Sequence, residues 1–340
     1  MPSAARVASE VFDEKQSSEI EYLSHRVFGR KPDRVAFPGG TSRSAFIVDM
    51  AGELYVFARR ESKSDAQLEG IVLRAIGNTG HVPKLKAVEK DWVVQEFISG
   101  VRLPVVLKDT SSMDERERHV DAALNSLVHI HNAASATNLQ HRLPKVGTVD
   151  YWLWDRTGAA KRMSKTAEID IPDLDRDKLV KLMDVKRDEF VKWDARPGNA
   201  MVDGKRVVWF DWEDCGRSKA LDDLAFVLCD EWMCLDEDAE NRLLKTYFPF
   251  FNRSLSTQHG EHYLRLFAVT HMVLRLRMAQ KLWTRKNKWW DRAYCLEADK
   301  VGATEQEFGR TLARAKRWSD GVEEWKPLLP WLDELSEIYL

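Results

Sequence analysis

Apolar residues recur at two different periods along this chain, and the period changes near Gly100. Before that point, Ile20, Leu23 and Val27 predict a helix over 17–28, ending at Gly29. Short alternating stretches at 34–37, 44–49 and 54–59 predict strands, punctuated by Gly39-Gly40 and Ala51-Gly52. Leu68, Val72 and Ile76 share one face of a helix over 65–76, and 82–88 with 92–97 form another strand pair. Beyond Gly100 helices dominate. Residues 114–131 carry Val120, Leu124, Leu127, Val128 and His131 on one stripe. Helices are also expected over 222–232, 239–247 and 263–283, with two more in 304–340 separated by Pro327 and Pro330. Residues 157–178 are charged and poor in bulky apolar side chains, which predicts a surface insertion or a mobile loop. The pattern predicts an α+β chain: a small antiparallel-sheet lobe with one main helix over 1–99, and a large, mostly helical lobe over 100–340.

Chemistry concentrates in the stretch Lys192-Trp193-Asp194-Ala195-Arg196-Pro197-Gly198-Asn199. A strand over 189–192 enters it, and Pro197-Gly198 forbids helix continuation. A hairpin follows, with Met201-Val202 and residues 206–210 flanking the turn pair Asp203-Gly204. Folding it back is expected to carry Asp211 toward the loop that holds Asp194 and Asn199. Such a trio suits phosphoryl transfer, where the protein must orient an acceptor hydroxyl and hold Mg2+ on the phosphates. Asp194 would face the hydroxyl and take its proton, while Asn199 and Asp211 are hard oxygen ligands for Mg2+. The D-x-x-x-x-N spacing is that of the catalytic loop in the protein-kinase fold.

In these residues the chain resembles the aminoglycoside phosphotransferase and choline kinase group, which phosphorylates small molecules on a bilobal kinase-like fold. The group's H-G-D-x-H-P-G-N, I-D-W-E-D-x-G and D-L-A motifs match Asp194, Pro197, Gly198 and Asn199, then Asp211-Trp212-Glu213-Asp214 with Gly216, then Asp223-Leu224-Ala225. The resemblance implies ATP as donor and a small-molecule hydroxyl as acceptor. It makes Gly39, Gly40, Thr41 and Ser42 the loop over the phosphates, where glycines admit close backbone approach. Val56-Phe57-Ala58-Arg59 stands in the place of the V-A-I-K strand, so Arg59 becomes the phosphate clamp and Glu69 its partner, with Glu61 as a substitute. Arg60 would point to the opposite face of a regular strand. The backbone of Glu96 and Ile98 would meet the adenine, and Asp223, or Asp222 one register away, would brace the catalytic loop. The group's histidine and glycine before the catalytic Asp are Lys192 and Trp193 here. Its following histidine is Arg196, which resembles the protein-kinase lysine and would contact the transferred phosphate. Lys192 and Trp193 motivate the alternative of a nucleotide-binding regulator without turnover. A protein kinase is a third reading, disfavoured by the D-W-E-D string.

A net charge of −2 over 340 residues supplies no field that would recruit nucleic acid or an anionic membrane. Residues 1–16 lack the apolar stretch of a signal peptide, and no apolar run reaches the length of a membrane span. The four cysteines, Cys215, Cys229, Cys234 and Cys295, have no metal-type spacing, so a reducing, cytoplasmic setting is expected. The acceptor stays open between an amino sugar, a sugar and a choline-like amino alcohol. Acidic residues at Asp230, Glu231, Asp236, Glu237, Asp238 and Glu240 would attract a cation, and Trp283, Trp289, Trp290 and Tyr294 would cage one. Lys281, Arg285, Lys286 and Lys288 would favour an anion instead. Solvated helix faces and core packing are the plainer readings of these groups. The pair His259 and His262 is not read as a zinc site.

Overall fold

The computed structural model describes residues 14–36 and 44–340. It divides into two compact units: the chain up to Ser99 together with Val208–Glu213, and Gly100–Val207 with Asp214–Leu340.

The first unit contains α1 (Glu14–Phe28), β1 (Arg34–Ala36), β2 (Ala45–Met50), β3 (Glu53–Arg59), α2 (Lys63–Ile76), β4 (Leu85–Glu89) and β5 (Trp92–Glu96). The strands form one antiparallel sheet in the order β1-β2-β3-β5-β4. Ala51 and Gly52, both at positive φ, make the tight β2–β3 turn. Side-chain alternation sends Phe46, Val48, Met50, Phe57 and Val94 to one face, where they pack with Ile20 and Leu23 of α1. Helix α2 packs on β4 and β5. Ser62 caps its N-terminus by accepting from Asp65 N. At Gly70 a Cβ would stand 2.5 Å from Val88 Cγ2, so only a hydrogen lets the helix lie this close. The returning 208–213 segment is anchored by Trp209 N donating to His81 O (2.8 Å), with Trp209 and Trp212 fully buried.

The second unit begins with β6 (Val101–Arg102), α3 (Leu103–Asp109) and α4 (Met113–Ala136), followed by α5 (Trp154–Thr157), α6 (Ala159–Ala167) and α7 (Arg176–Met183). Then come β7 (Glu189–Val191), β8 (Ala200–Asp203), β9 (Arg206–Trp209), whose last two residues belong to the first unit, β10 (Gly216–Ser218) and α8 (Leu221–Leu228). The unit closes with α9 (Glu237–Phe251), α10 (Thr257–Lys286), α11 (Arg292–Glu297), α12 (Glu305–Ser319) and α13 (Leu328–Tyr339). β8 pairs antiparallel with β6 and turns at Asp203-Gly204 into β9, while β7 pairs with β10. Helix α10 is the hub, packed against α6, α7, α8 and α12.

Residues 157–178 differ from the expected loop. They hold α6 and the start of α7, and Ala159, Ala160, Met163 and Ser164 are buried. Gln280 of α10 donates through Nε2 to Met163 O (3.1 Å). The buried face of this nine-residue helix holds two alanines, a serine and a single bulky side chain, Met163, so no run of large apolar residues marks it in the sequence. Three acids of the acidic run are engaged in the fold. Asp236 caps α9, Glu231 pairs with Arg275, and Glu240 takes bonds from Arg314, Arg317 and Trp318. Trp283 and Trp289 pack on Tyr339 and Phe308. His262 pairs with Glu324, and among the described residues no cluster of three His, Cys, Asp or Glu side chains could hold a metal. The four cysteines are free and buried, and no described helix is long and apolar enough to cross a membrane.

Candidate active site

The residues singled out from the sequence fall into one set in each unit. In the second unit, β7 delivers the chain into Trp193 and Asp194, both in the left-handed region at φ 53° and 63°. A side chain there costs on the order of 1–3 kcal/mol, which surrounding structure must offset. Asp223, fully buried on α8, does so. Its carboxylate accepts from Lys192 N (2.7 Å), Trp193 N (2.9 Å) and His131 Nε2 (2.8 Å). The Trp193 indole is absorbed by Trp152, Phe226 and Phe267, and Gly147 leaves room where a Cβ would come within 2.4 Å of the ring.

The Asp194 carboxylate is held from both sides. Arg196 grips it as a fork, Nε to Oδ1 at 2.5 Å and Nη2 to Oδ2 at 2.8 Å. Asn199 donates Nδ2 to Asp194 Oδ2 (2.8 Å) and to Asp194 O (3.0 Å). Burial alone would raise the Asp194 pKa. The Arg196 hydrogen bonds, with the charges of Arg196, Lys192 and Arg275, hold it well below the usual carboxylate range instead. Burial likewise opposes the Arg196 cation, and Asp194, Asp230 and Glu231 more than compensate, raising its pKa. Both Asn199 contacts are to acceptors, so its amide must present nitrogen to Asp194, leaving Oδ1 as the ligand-capable atom.

Asp194 and Arg196 border a cavity of about 550 Å³ formed within this unit. Trp152, Trp193 and Phe226 supply aromatic wall, and Arg156, His271 and Arg275 supply nitrogen. Arg275 is matched to buried Glu231, with Nε to Oε2 at 2.6 Å. Glu231 and its neighbour Asp230 titrate as a pair. Burial works against both charges, Arg275 pulls Glu231 down, and Asp230, beside that charge, is pushed up. Burial and then the Arg275 charge pull His271 down to about 3, so its imidazole is neutral.

In the first unit Glu69 pairs with Arg60 and not with Arg59, the partner expected for it. Arg59 lies on the Phe57 side of β3, where α1 packs, and its exposed guanidinium pairs with Asp91 (2.7 Å) and Glu19 (3.1 Å). Arg60 takes the α2 side and forks onto Glu69, Nε to Oε2 at 2.5 Å and Nη2 to Oε1 at 2.9 Å. Its Nη1 donates to Glu213 Oε2 (3.1 Å) and lies 3.4 Å from Asp211 Oδ1. Glu69 has no exposed side-chain surface and Arg60 only 8%, whereas Asp211 keeps 37%. Burial disfavours the Arg60 cation, but Glu69, Asp211 and Glu213 outweigh it and raise its pKa. The two-residue strand period decides this outcome, since matching V-A-I-K letter by letter stops one position short. Asp211 itself is left-handed at φ 61°. Glu96 ends β5, with its N–H on Lys84 O (2.9 Å), and buried Ile98 follows. Gly39, Gly40, Thr41 and Ser42 lie outside the described residues.

Arg156, His271 and Arg275 escape the sequence reading. Their positions carry no motif, and only the packing of α5 against α10 brings them to one cavity.

The model of the phosphotransferase enzyme family matches residues 33–255, and the chain belongs to that family. Its fold, a small antiparallel-sheet part with a large helical one, is the protein-kinase-like fold of such phosphotransferases. Among solved structures it is similar to a choline/ethanolamine kinase family protein from Mesorhizobium loti, at 14% identity and a TM-score of 0.54, covering 94% of this chain and 98% of that one. An amicoumacin kinase in complex with AMP-PNP, Ca2+ and Ami gives 15% identity and a TM-score of 0.57 over 88% and 97% of the two chains. An AMP-bound spectinomycin phosphotransferase gives 13% and 0.55 over 91% and 97%. None of the curated proteins matches the chain.

Proposed function

We propose that the chain transfers the γ-phosphoryl group of ATP to a hydroxyl of a small molecule. The observation that carries this reading is Asp194: an ionised carboxylate, held between Arg196 and Asn199, that borders a cavity of substrate size. The low pKa makes Asp194 a weak base. That suits a loose transition state, in which the hydroxyl needs orientation early and gives up its proton late. Asp194 accepts the hydroxyl's hydrogen bond and aims its oxygen. The proton moves to the carboxylate only as the new P–O bond forms and the bond from the γ-phosphorus to the bridging oxygen breaks, releasing ADP.

Asn199 Oδ1 and the Asp211 carboxylate are hard oxygen donors whose chemistry fits Mg2+. Bound there, the ion would neutralise phosphate charge. Arg60, fixed by Glu69, is the cation we assign to the nucleotide phosphates in place of Arg59, with Arg196 on the transferred group once substrate draws it from Asp194. In this reading the first unit takes the nucleotide, with the phosphates under Gly39–Gly40–Thr41–Ser42 and the adenine on the Glu96 and Ile98 backbone. The second unit takes the acceptor, and the reaction belongs to the cytoplasm.

The test is a metabolite-pool screen with γ-labelled ATP and Mg2+, run on the wild type and on Asp194→Asn. Transfer should fall by about a thousandfold in the variant, within the usual range for loss of a general base, while nucleotide affinity changes little. Nucleotide binding with no Asp194-dependent transfer to any acceptor would replace this reading with a regulator that has lost turnover.

A further inference from the structure

The cavity beside Asp194 contains more nitrogen than its own carboxylates can satisfy. Three arginines border it. Arg196 is matched by Asp194 and Arg275 by Glu231. Arg156 is not matched. Its sequence neighbour Asp155 ion-pairs with Arg162 (3.2 Å), and among the described residues no carboxylate pairs with Arg156 and no acceptor takes its hydrogen bonds. The guanidinium lies 5.1 Å over the Trp152 ring, which leans on Trp193 at 4.9 Å, so its place in the wall is set by packing. Its Nε is buried without an acceptor. Burial first, then the charges of Arg162 and Arg275, lower its pKa despite Asp155 and Asp194, which marks a cation short of counter-charge.

Of the carboxylates that border the cavity, Asp194 carries Arg196 and Asp299 carries Arg102. An ammonium entering here would find those two already ion-paired and would face an unpaired guanidinium. His271 adds a second unmet group, 6% exposed, with Nε2 lacking any partner. A buried donor without an acceptor is costly, and a ligand that supplies one recovers that cost on binding.

Resting on the reading of this cavity as the acceptor site, we propose that the acceptor bears an oxyanion, a carboxylate or a phosphate ester, close to its reactive hydroxyl, and that Arg156 binds it. The Trp152, Trp193 and Phe226 rings cover the carbon skeleton, and His271 bonds a neutral polar atom. Arg156 thereby selects an anionic acceptor over an amino sugar or a choline-like one.

Tryptophan fluorescence reads binding without turnover, because Trp152 and Trp193 line the cavity. The full chain, with excess Mg2+ and AMP-PNP, is titrated with matched hydroxylated probes: glycerate, glycerol phosphate, glycerol and choline. The better of the two anions should bind at least about tenfold tighter than glycerol or choline, as expected for a charge-assisted hydrogen bond. Comparing glycerate with glycerol phosphate tells carboxylate from phosphate ester. Arg156→Gln should reduce the preference to about twofold or less, and Arg156→Lys should restore part of it. Choline binding as tightly as the anions would overturn the proposal. So would an anion preference that survives Arg156→Gln, or no response to either anion at tens of millimolar. Anion binding intact beside a negative phosphate-transfer screen would count against the transferase reading and leave the Arg156 site standing.

Discussion

Exchanging Arg60 and Arg59 in turn separates the two faces of β3. Arg60 is 8% exposed and is the fork that satisfies Glu69, which has no exposed side-chain surface. Arg60→Ala leaves that carboxylate buried and unpaired, a change that typically costs about 3–5 kcal/mol. Arg59 is 45% exposed and pairs with partly exposed Glu19 and Asp91, an arrangement worth about 0–1 kcal/mol and weakened by salt. Urea unfolding of both variants should therefore show a drop of several kcal/mol for Arg60→Ala and about 1 kcal/mol or less for Arg59→Ala. A double variant, Arg60→Met with Glu69→Gln, removes the stranded charge and should regain most of the stability. It should not regain activity, because the phosphates would still lack their cation. The kcat/KM for ATP should fall by about a hundredfold or more in both Arg60 variants and by less than about threefold in Arg59→Ala. A larger loss of stability or of ATP turnover from Arg59→Ala than from Arg60→Ala would refute the assignment of faces.

Two further outcomes follow from buried carboxylates. Burial, against hydrogen bonds from Ser218 and Tyr263, lifts Asp222 to about 7. Its unfolded value is near 3.9, so between the two the unfolded chain gives up a proton that the native chain keeps. Stability then falls by about 1.4 kcal/mol per pH unit until the native pKa is passed. Unfolding at pH 5 and pH 8 should differ by roughly 3 kcal/mol more in the wild type than in Asp222→Asn, and parallel pH curves would contradict the assignment. Asp223→Ala strips the acceptor from two buried backbone N–H groups and from His131, at a cost of about 1–3 kcal/mol for each unsatisfied group. Since Trp193 and Asp194 are left-handed beside those amides, kcat should drop sharply while KM for ATP changes little. An unchanged kcat would show that Asp194 holds its position without Asp223.

Much of the site could be read from local chemistry. Pro197-Gly198 breaks the chain between Asp194 and Asn199, and Asp203-Gly204 turns the hairpin, because these residues restrict their own backbone. The strand alternation and the apolar stripes of α2 and α4 are likewise written within a few residues of each element. The misreadings share one cause. Arg59 and Arg60 are adjacent and chemically identical, and only the helix covering each face of β3 tells them apart. The alanine face of α6 looks solvent-exposed until α10 lies against it. Glu231 reads as surface acid until Arg275, 44 residues away, supplies its counter-charge.

The sequence by itself determined most element types, a fold with a small antiparallel-sheet part and a large helical one, and the order of the Asp194, Asn199 and Asp211 motifs, since backbone preference and hydrophobic period act over a few residues. Tertiary structure alone decided which arginine meets Glu69, which acids are already paired, and that Arg156 and His271 share a cavity with Asp194. Pairing and burial depend on what another part of the chain brings alongside, and no window of sequence contains that neighbour.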